Sequence, residues 1–207
     1  MALVDRYAGV IFDYGGVLAF HQTAADVKRL AELAEMPLDV FEPLYWSDRG
    51  GYDKGLVTAE DYWGDMARGA GRSFSQEQIL HLIEADIVSW TNFDSGMYGF
   101  VNGLAAKGKR VAVLSNMPRE LGESIKTTTD GFKPFHHVTL SYEVRSIKPE
   151  REIYEHCLSG IATAAEETLF IDDRLENIKG AKELGVNTMH FTSRDEILQR
   201  LQGNGEL

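Results

Sequence analysis

Two short apolar runs in this 207-residue chain end in carboxylates: Val10-Ile11-Phe12 runs into Asp13, and Leu169-Phe170-Ile171 runs into Asp172 and Asp173. A third run, Val111-Ala112-Val113-Leu114, ends in Ser115-Asn116, and Lys148 follows it before the Asp172-Asp173 pair. These side chains have complementary uses. Carboxylates suit a hard cation, while an ammonium, a hydroxyl and amides suit the oxygens of a phosphate. Three carboxylates do not pack together without positive charge, so their convergence implies Mg²⁺. Convergence requires elements that bring distant residues to one place.

The apolar, β-branched runs read as strands buried on both faces, as in a parallel sheet. From Ser95 onward, strand and helix patterns alternate. A helix through Tyr98, Val101 and Leu104 stops near Gly108, and one from about Leu175 to Leu184 stops at Gly185. Short strands also fit His137–Leu140 and Val186–His190. This alternation predicts an α/β fold, a Rossmann-like doubly wound parallel sheet, whose strands place their carboxyl ends on one edge. After Asp13 the consecutive Gly15 and Gly16 let the chain turn sharply. Residues 22–92 lack strand patterns but carry repeated helix-start signals at Thr23, Thr58 and Ser75. They are expected to form a bundle of about four helices, inserted between core segments 1–21 and 93–207. The Gly-Asn-Gly-Glu-Leu tail carries no pattern and is expected to fray.

Composition narrows the partners. A formal net charge of -11 leaves no basic excess to neutralise a nucleic acid. Cys157 is the only cysteine, which fits a reducing cytoplasm. No apolar run reaches membrane-spanning length, so neither nucleic acid nor membrane is an expected partner. A small phosphorylated metabolite is compatible with the acidic balance if a local metal ion reverses the field.

In order and in place, these residues resemble the motifs of the haloacid dehalogenase superfamily of hydrolases. Ile11-Phe12-Asp13-Tyr14-Gly15-Gly16-Val17-Leu18 resembles its first motif, and Val113-Leu114-Ser115-Asn116 its second. Lys148-Pro149 is similar to the third, and Phe170-Ile171-Asp172-Asp173 with Asn177 to the fourth. The resemblance spans essentially the whole chain, with 22–92 standing where many members insert a helical cap. It implies that Asp13 is a nucleophile forming an aspartyl-phosphate. It implies Mg²⁺ held by Asp13, the backbone carbonyl of Gly15 and Asp173, supported by Asp172 and oriented by Asn177. Ser115, Asn116 (through its amide) and Lys148 would hold the phosphoryl oxygens, and Lys148 would also restrain Asp13.

The chain departs from that pattern at one position. Most phosphatases of the superfamily carry an acid two residues after the nucleophile, where this chain has Gly15. Some sequences resembling sugar-phosphate phosphatases share the Asp-x-Gly start, and His21 is an alternative proton source. The polar, aromatic and glycine-rich stretch Tyr45–Gly55 reads either as an exposed interhelical loop or as a specificity loop using Trp46, Arg49 and Tyr52. The resemblance thus implies a Mg²⁺-dependent phosphatase of a small metabolite, with sugar phosphates favoured. Two rivals stay open: a metal-free haloacid dehalogenase, and a phosphometabolite-binding protein that turns over weakly.

Overall fold

A computed structural model describes residues 2–203; the tail at 204–207 lies outside them. Five strands, β1 (Gly9–Phe12), β2 (Arg110–Ser115), β3 (His137–Leu140), β4 (Thr168–Asp172) and β5 (Asn187–His190), pair in the order β3-β2-β1-β4-β5. Every pairing is parallel. The central strands are apolar on both faces because each face is covered. Val10, Phe12, Val111, Val113, Leu169 and Ile171 join one buried cluster, and Ile11, Ala112, Leu114 and Phe170 join the other.

The inserted block comprises α1 (Ala24–Leu33), α2 (Leu38–Ser47), α3 (Arg49–Asp53), α4 (Ala59–Gly69) and α5 (Gln76–Ser89). Its starts follow the local chemistry. Thr23, Thr58 and Ser75 each accept from a backbone amide three residues on, satisfying a donor that the helix cannot. The block has its own core of Leu30, Phe41, Tyr45, Tyr62, Trp63 and Leu82. Five helices stand where about four were expected. The extra one is α3, in the stretch whose glycines and polarity suggested a loop. Pro43 lies inside α2, which continues past it despite the lost backbone donor.

The sheet is flanked by α6 (Ser95–Ala106), α7 (Arg119–Thr128), the short α8 (Ser141–Val144), α9 (Arg151–Ile161), α10 (Leu175–Glu183) and α11 (Arg194–Gln202). Gly108 and Gly185, both at φ +78°, turn the chain after α6 and α10. Among the described residues no helix is long and apolar enough to cross a membrane. The chain runs outward from β1 through β2 to β3 and then crosses to β4 on the other side of β1. The strand order therefore reverses at β1, and its carboxyl end is where such sheets leave a crevice. The two crossings to the helical block sit above this end and pair with each other: Phe20 N donates to Asn92 O and Asp94 N to Leu18 O, both at 2.9 Å.

Candidate active site

Register places the acidic residues. Phe12 pairs with Ile171, so Asp13 and Asp172 emerge level with each other at the end of adjacent strands. Lys148 arrives from the loop before α9 and inserts its ammonium between them, 2.6 Å from Asp13 Oδ1 and 2.7 Å from Asp172 Oδ2. All three are buried. Asn116, just past β2, clamps that loop: its Oδ1 accepts from Lys148 N at 2.8 Å and its Nδ2 donates to Lys148 O at 3.0 Å.

Asp172 is saturated. Besides Lys148, it accepts from Asn177 Nδ2 at 3.0 Å and from Arg174 N at 2.8 Å. Asp13 Oδ1 takes Lys148 and the Tyr14 amide, and among the described residues no protein donor reaches Oδ2. Burial, then the neighbouring Asp172, push Asp13 up to about 8 against the pull of Lys148. One oxygen from each of Asp13, Asp172 and Asp173 lies within 4.8 Å of the others. The ammonium of Lys148 pairs with only two of these three carboxylates, leaving the donor set short of positive charge. Asn177 Oδ1 adds a buried acceptor with no partner among the described residues. These residues fit a hard divalent cation, with Asp13 and Asp173 the carboxylates able to bind it and Asp172 already engaged.

A cavity of about 600 Å³ opens over this cluster, bordered by Asp13, Gly15, Asn116, Lys148, Asp173 and Asn177. Ser115 does not border it: the side chain is buried at the end of β2, and among the described residues its hydroxyl meets only Asn116 O, at 3.4 Å. His21 does border it, with Nε2 3.0 Å from Asp173 Oδ2, a contact that raises the imidazole pKa against the effect of burial. Gly16 makes this approach possible. At its φ of +79°, a Cβ would stand 2.5 Å from His21 Nε2 and 2.9 Å from Asp173 Oδ2.

The helical block forms the rest of the wall. Trp46 is exposed and borders the cavity. Arg49 also borders it but is buried by its own partners: Nε to Asp53 Oδ1 at 2.9 Å and Nη1 to Asp86 Oδ2 at 3.1 Å, with its guanidinium 4.9 Å from the Tyr45 ring centre. Tyr52 lies away from the cavity, stacked on Tyr62 at 4.4 Å. The Tyr45–Gly55 stretch is therefore helical and packed, not an exposed loop, because Arg49 finds two carboxylates and a nest of rings. Trp90 was not anticipated from the sequence. Its ring borders the cavity beside Gly15, where a Cβ would meet Cζ3 at 3.2 Å. Asp86 left one signal, a charge four residues after Leu82 on the buried side of α5.

Comparison with known proteins is consistent with this geometry. A model of haloacid dehalogenase-like hydrolases matches residues 7–185. The sesquiterpene phosphatase astK of Aspergillus oryzae is 26% identical over 194 residues, which is 92% of each chain. A D-ribitol-5-phosphate phosphatase of Bacteroides thetaiotaomicron is 26% identical over 196 residues, 86% of this chain and 89% of that protein. Among solved structures, a HAD family enzyme from Bacteroides thetaiotaomicron superposes with a TM-score of 0.78 at 21% identity, covering 94% of this chain and 98% of its own. That enzyme has also been solved in complex with magnesium and inorganic phosphate.

Proposed function

The chain belongs to the haloacid dehalogenase-like hydrolases, and from that premise we propose that it is a Mg²⁺-dependent phosphatase of a small phosphorylated metabolite, acting in the cytoplasm. The charge imbalance at the sheet edge carries this reading: of three clustered carboxylates, the single ammonium of Lys148 pairs with two, and the third, Asp173, meets only the His21 imidazole among the described residues. A metal-free dehalogenase has no use for that excess, and the magnesium and phosphate complex of the structural relative supports the metal. Asp13, Asp173 and the carbonyl of Gly15 would hold the ion, with Asp172 and Asn177 behind them. When bound, it offsets the charge of the phosphoryl oxygens.

Asp13 is the nucleophile. Its carboxylate forms a bond to phosphorus as the ester oxygen departs, and water then cleaves the aspartyl-phosphate to restore Asp13 and release phosphate. Lys148 and the backbone N–H of Asn116 hold the phosphoryl oxygens, and Ser115, whose hydroxyl donates to Asn116 O, braces that turn. The helical block at 22–92 is the cap that closes over the substrate. A sugar phosphate as substrate has the support of the ribitol-phosphate relative, and a terpenoid phosphate that of the sesquiterpene relative.

Two outcomes follow from this reading. Saturating Mg²⁺ should raise the melting temperature, because an ion at 100 times its Kd stabilises the folded state by about 2.7 kcal/mol. Chelation should abolish phosphatase activity. A melting curve indifferent to Mg²⁺, together with activity that survives chelator, would favour the dehalogenase instead. The second outcome comes from Gly15. With no carboxylic acid there, the ester oxygen leaves carrying more negative charge, so aryl phosphates should outrun alkyl phosphates steeply in single-turnover rates. Gly15→Asp should narrow that gap, by at most the general-acid factor of about 10²–10⁴. The gain is limited because the new side chain must displace the Trp90 ring by a few tenths of an ångström. Flat single-turnover rates across leaving groups in the unaltered enzyme would mean that another residue supplies the proton, and His21→Ala would then be the variant to measure.

A further inference from the structure

Beyond the phosphoryl end, the cavity wall combines apolar side chains with polar groups already paired within the protein. Trp46, Trp90 and the buried Met117 and Leu121 border it there, together with Arg49, Asp53 and Arg174, whose Nη2 is held by Glu176 Oε1 at 2.6 Å. The polar atoms attached to this wall are largely engaged. Trp90 Nε1 donates to Tyr45 OH at 3.3 Å, and Tyr14 OH donates to Trp90 O at 2.6 Å. Arg49 spends Nε and Nη1 on Asp53 and Asp86, and Tyr45 OH in turn donates to Asp86 Oδ1. This network ties the ring positions to the helical block, so the apolar wall is built into the fold. Trp46 is the exception in being open: it is 54% exposed, standing edge-on to Tyr45 with ring centres 4.8 Å apart.

A polyol chain in such a cavity would lose water from its hydroxyls and find few free partners, a cost for each group left unpaired. A hydrocarbon group gains instead from every methylene removed from water. The position of Trp90 sharpens this, because its ring lies beside Gly15 and so borders the first atoms of the group leaving phosphorus. We infer that the organic part of the substrate is an apolar, isoprenoid- or aryl-like group seated against Trp46 and Trp90. The inference rests on the phosphatase reading above, and it replaces the sugar phosphate expected from the resemblance.

The test compares two primary alkyl phosphates, hexyl phosphate and ribitol 5-phosphate, in the presence of Mg²⁺. Their leaving oxygens are similar, and the small difference favours ribitol, so the missing acid at Gly15 cannot create a preference for hexyl. The unaltered enzyme should show a kcat/KM for hexyl phosphate about 10-fold to 10²-fold above that for ribitol 5-phosphate. Trp46→Ala, at an exposed position, should bring that ratio toward one, and Trp46→Phe should keep most of it. Inhibition by inorganic phosphate should stay within about twofold in both variants, since the phosphoryl end is untouched. A higher kcat/KM for ribitol 5-phosphate, or a ratio that ignores Trp46→Ala, overturns the inference while leaving the phosphatase reading intact. If p-nitrophenyl phosphate is cleaved and neither alkyl ester is, the two esters are ranked as competitive inhibitors, and tighter binding of ribitol 5-phosphate overturns it equally. Failure to cleave p-nitrophenyl phosphate with Mg²⁺ present removes the phosphatase reading and this inference with it.

Discussion

Asp13→Asn should abolish phosphatase turnover, by about 10⁴-fold or more, while leaving the fold intact. The amide is nearly the same size as the carboxylate but cannot attack phosphorus. Its effect on stability should be small or favourable. Asp13 is buried level with Asp172, and both burial and that neighbour oppose its charge. Lys148 keeps Asp172 as a partner when the Asp13 charge is removed. The measurement is a pair: steady-state hydrolysis of an aryl phosphate, and a melting curve without added metal. A variant that melts like the parent and turns over normally would remove Asp13 from the chemistry.

Lys148→Met should cost both activity and stability. The ammonium is buried between two carboxylates, with its side chain 1% exposed. Methionine fills similar volume but leaves Asp13 and Asp172 facing each other without a cation. Removing one partner of a buried ion pair typically costs about 3–5 kcal/mol. Denaturant titration in chelator should show a loss of that order, and Mg²⁺ should recover part of it by supplying charge to the same carboxylates. Turnover should not recover, because the group proposed to hold the phosphoryl oxygens is gone. A stability unchanged from the parent would mean that the carboxylates carry no net burden for Lys148 to relieve.

Much of this arrangement was legible in the sequence because parallel strands with apolar runs leave few places for their terminal residues. Asp13 and Asp172 end adjacent strands in register, and alternation of strand and helix requires their shared edge. Lys148 was legible as a candidate from its place between the second and third strand ends, but nothing local marks a lysine that will be buried. The Tyr45–Gly55 stretch was harder. Arg49 and Tyr52 look like solvent-facing residues among glycines, yet Asp86 lies on another helix and the stacking partner Tyr62 on a third. Such partners are distant in sequence, and no local periodicity reports them. Trp90 stands beside Gly15 for the same reason: the contact spans the whole helical insertion. Ser115 shows the converse case, a strand-end hydroxyl whose sequence position was plain but whose burial was not.

If phosphate passes through Asp13, acid-quenched peptide mapping will capture it there. The enzyme is mixed with Mg²⁺ and an aryl phosphate, stopped in acid during turnover, digested and analysed by mass spectrometry. A phosphoryl group is expected on the peptide containing Asp13, present in the parent and absent from Asp13→Asn. Turnover at the same rate with no phosphoryl group on that peptide, or with the group on another side chain such as His21, would contradict passage through Asp13.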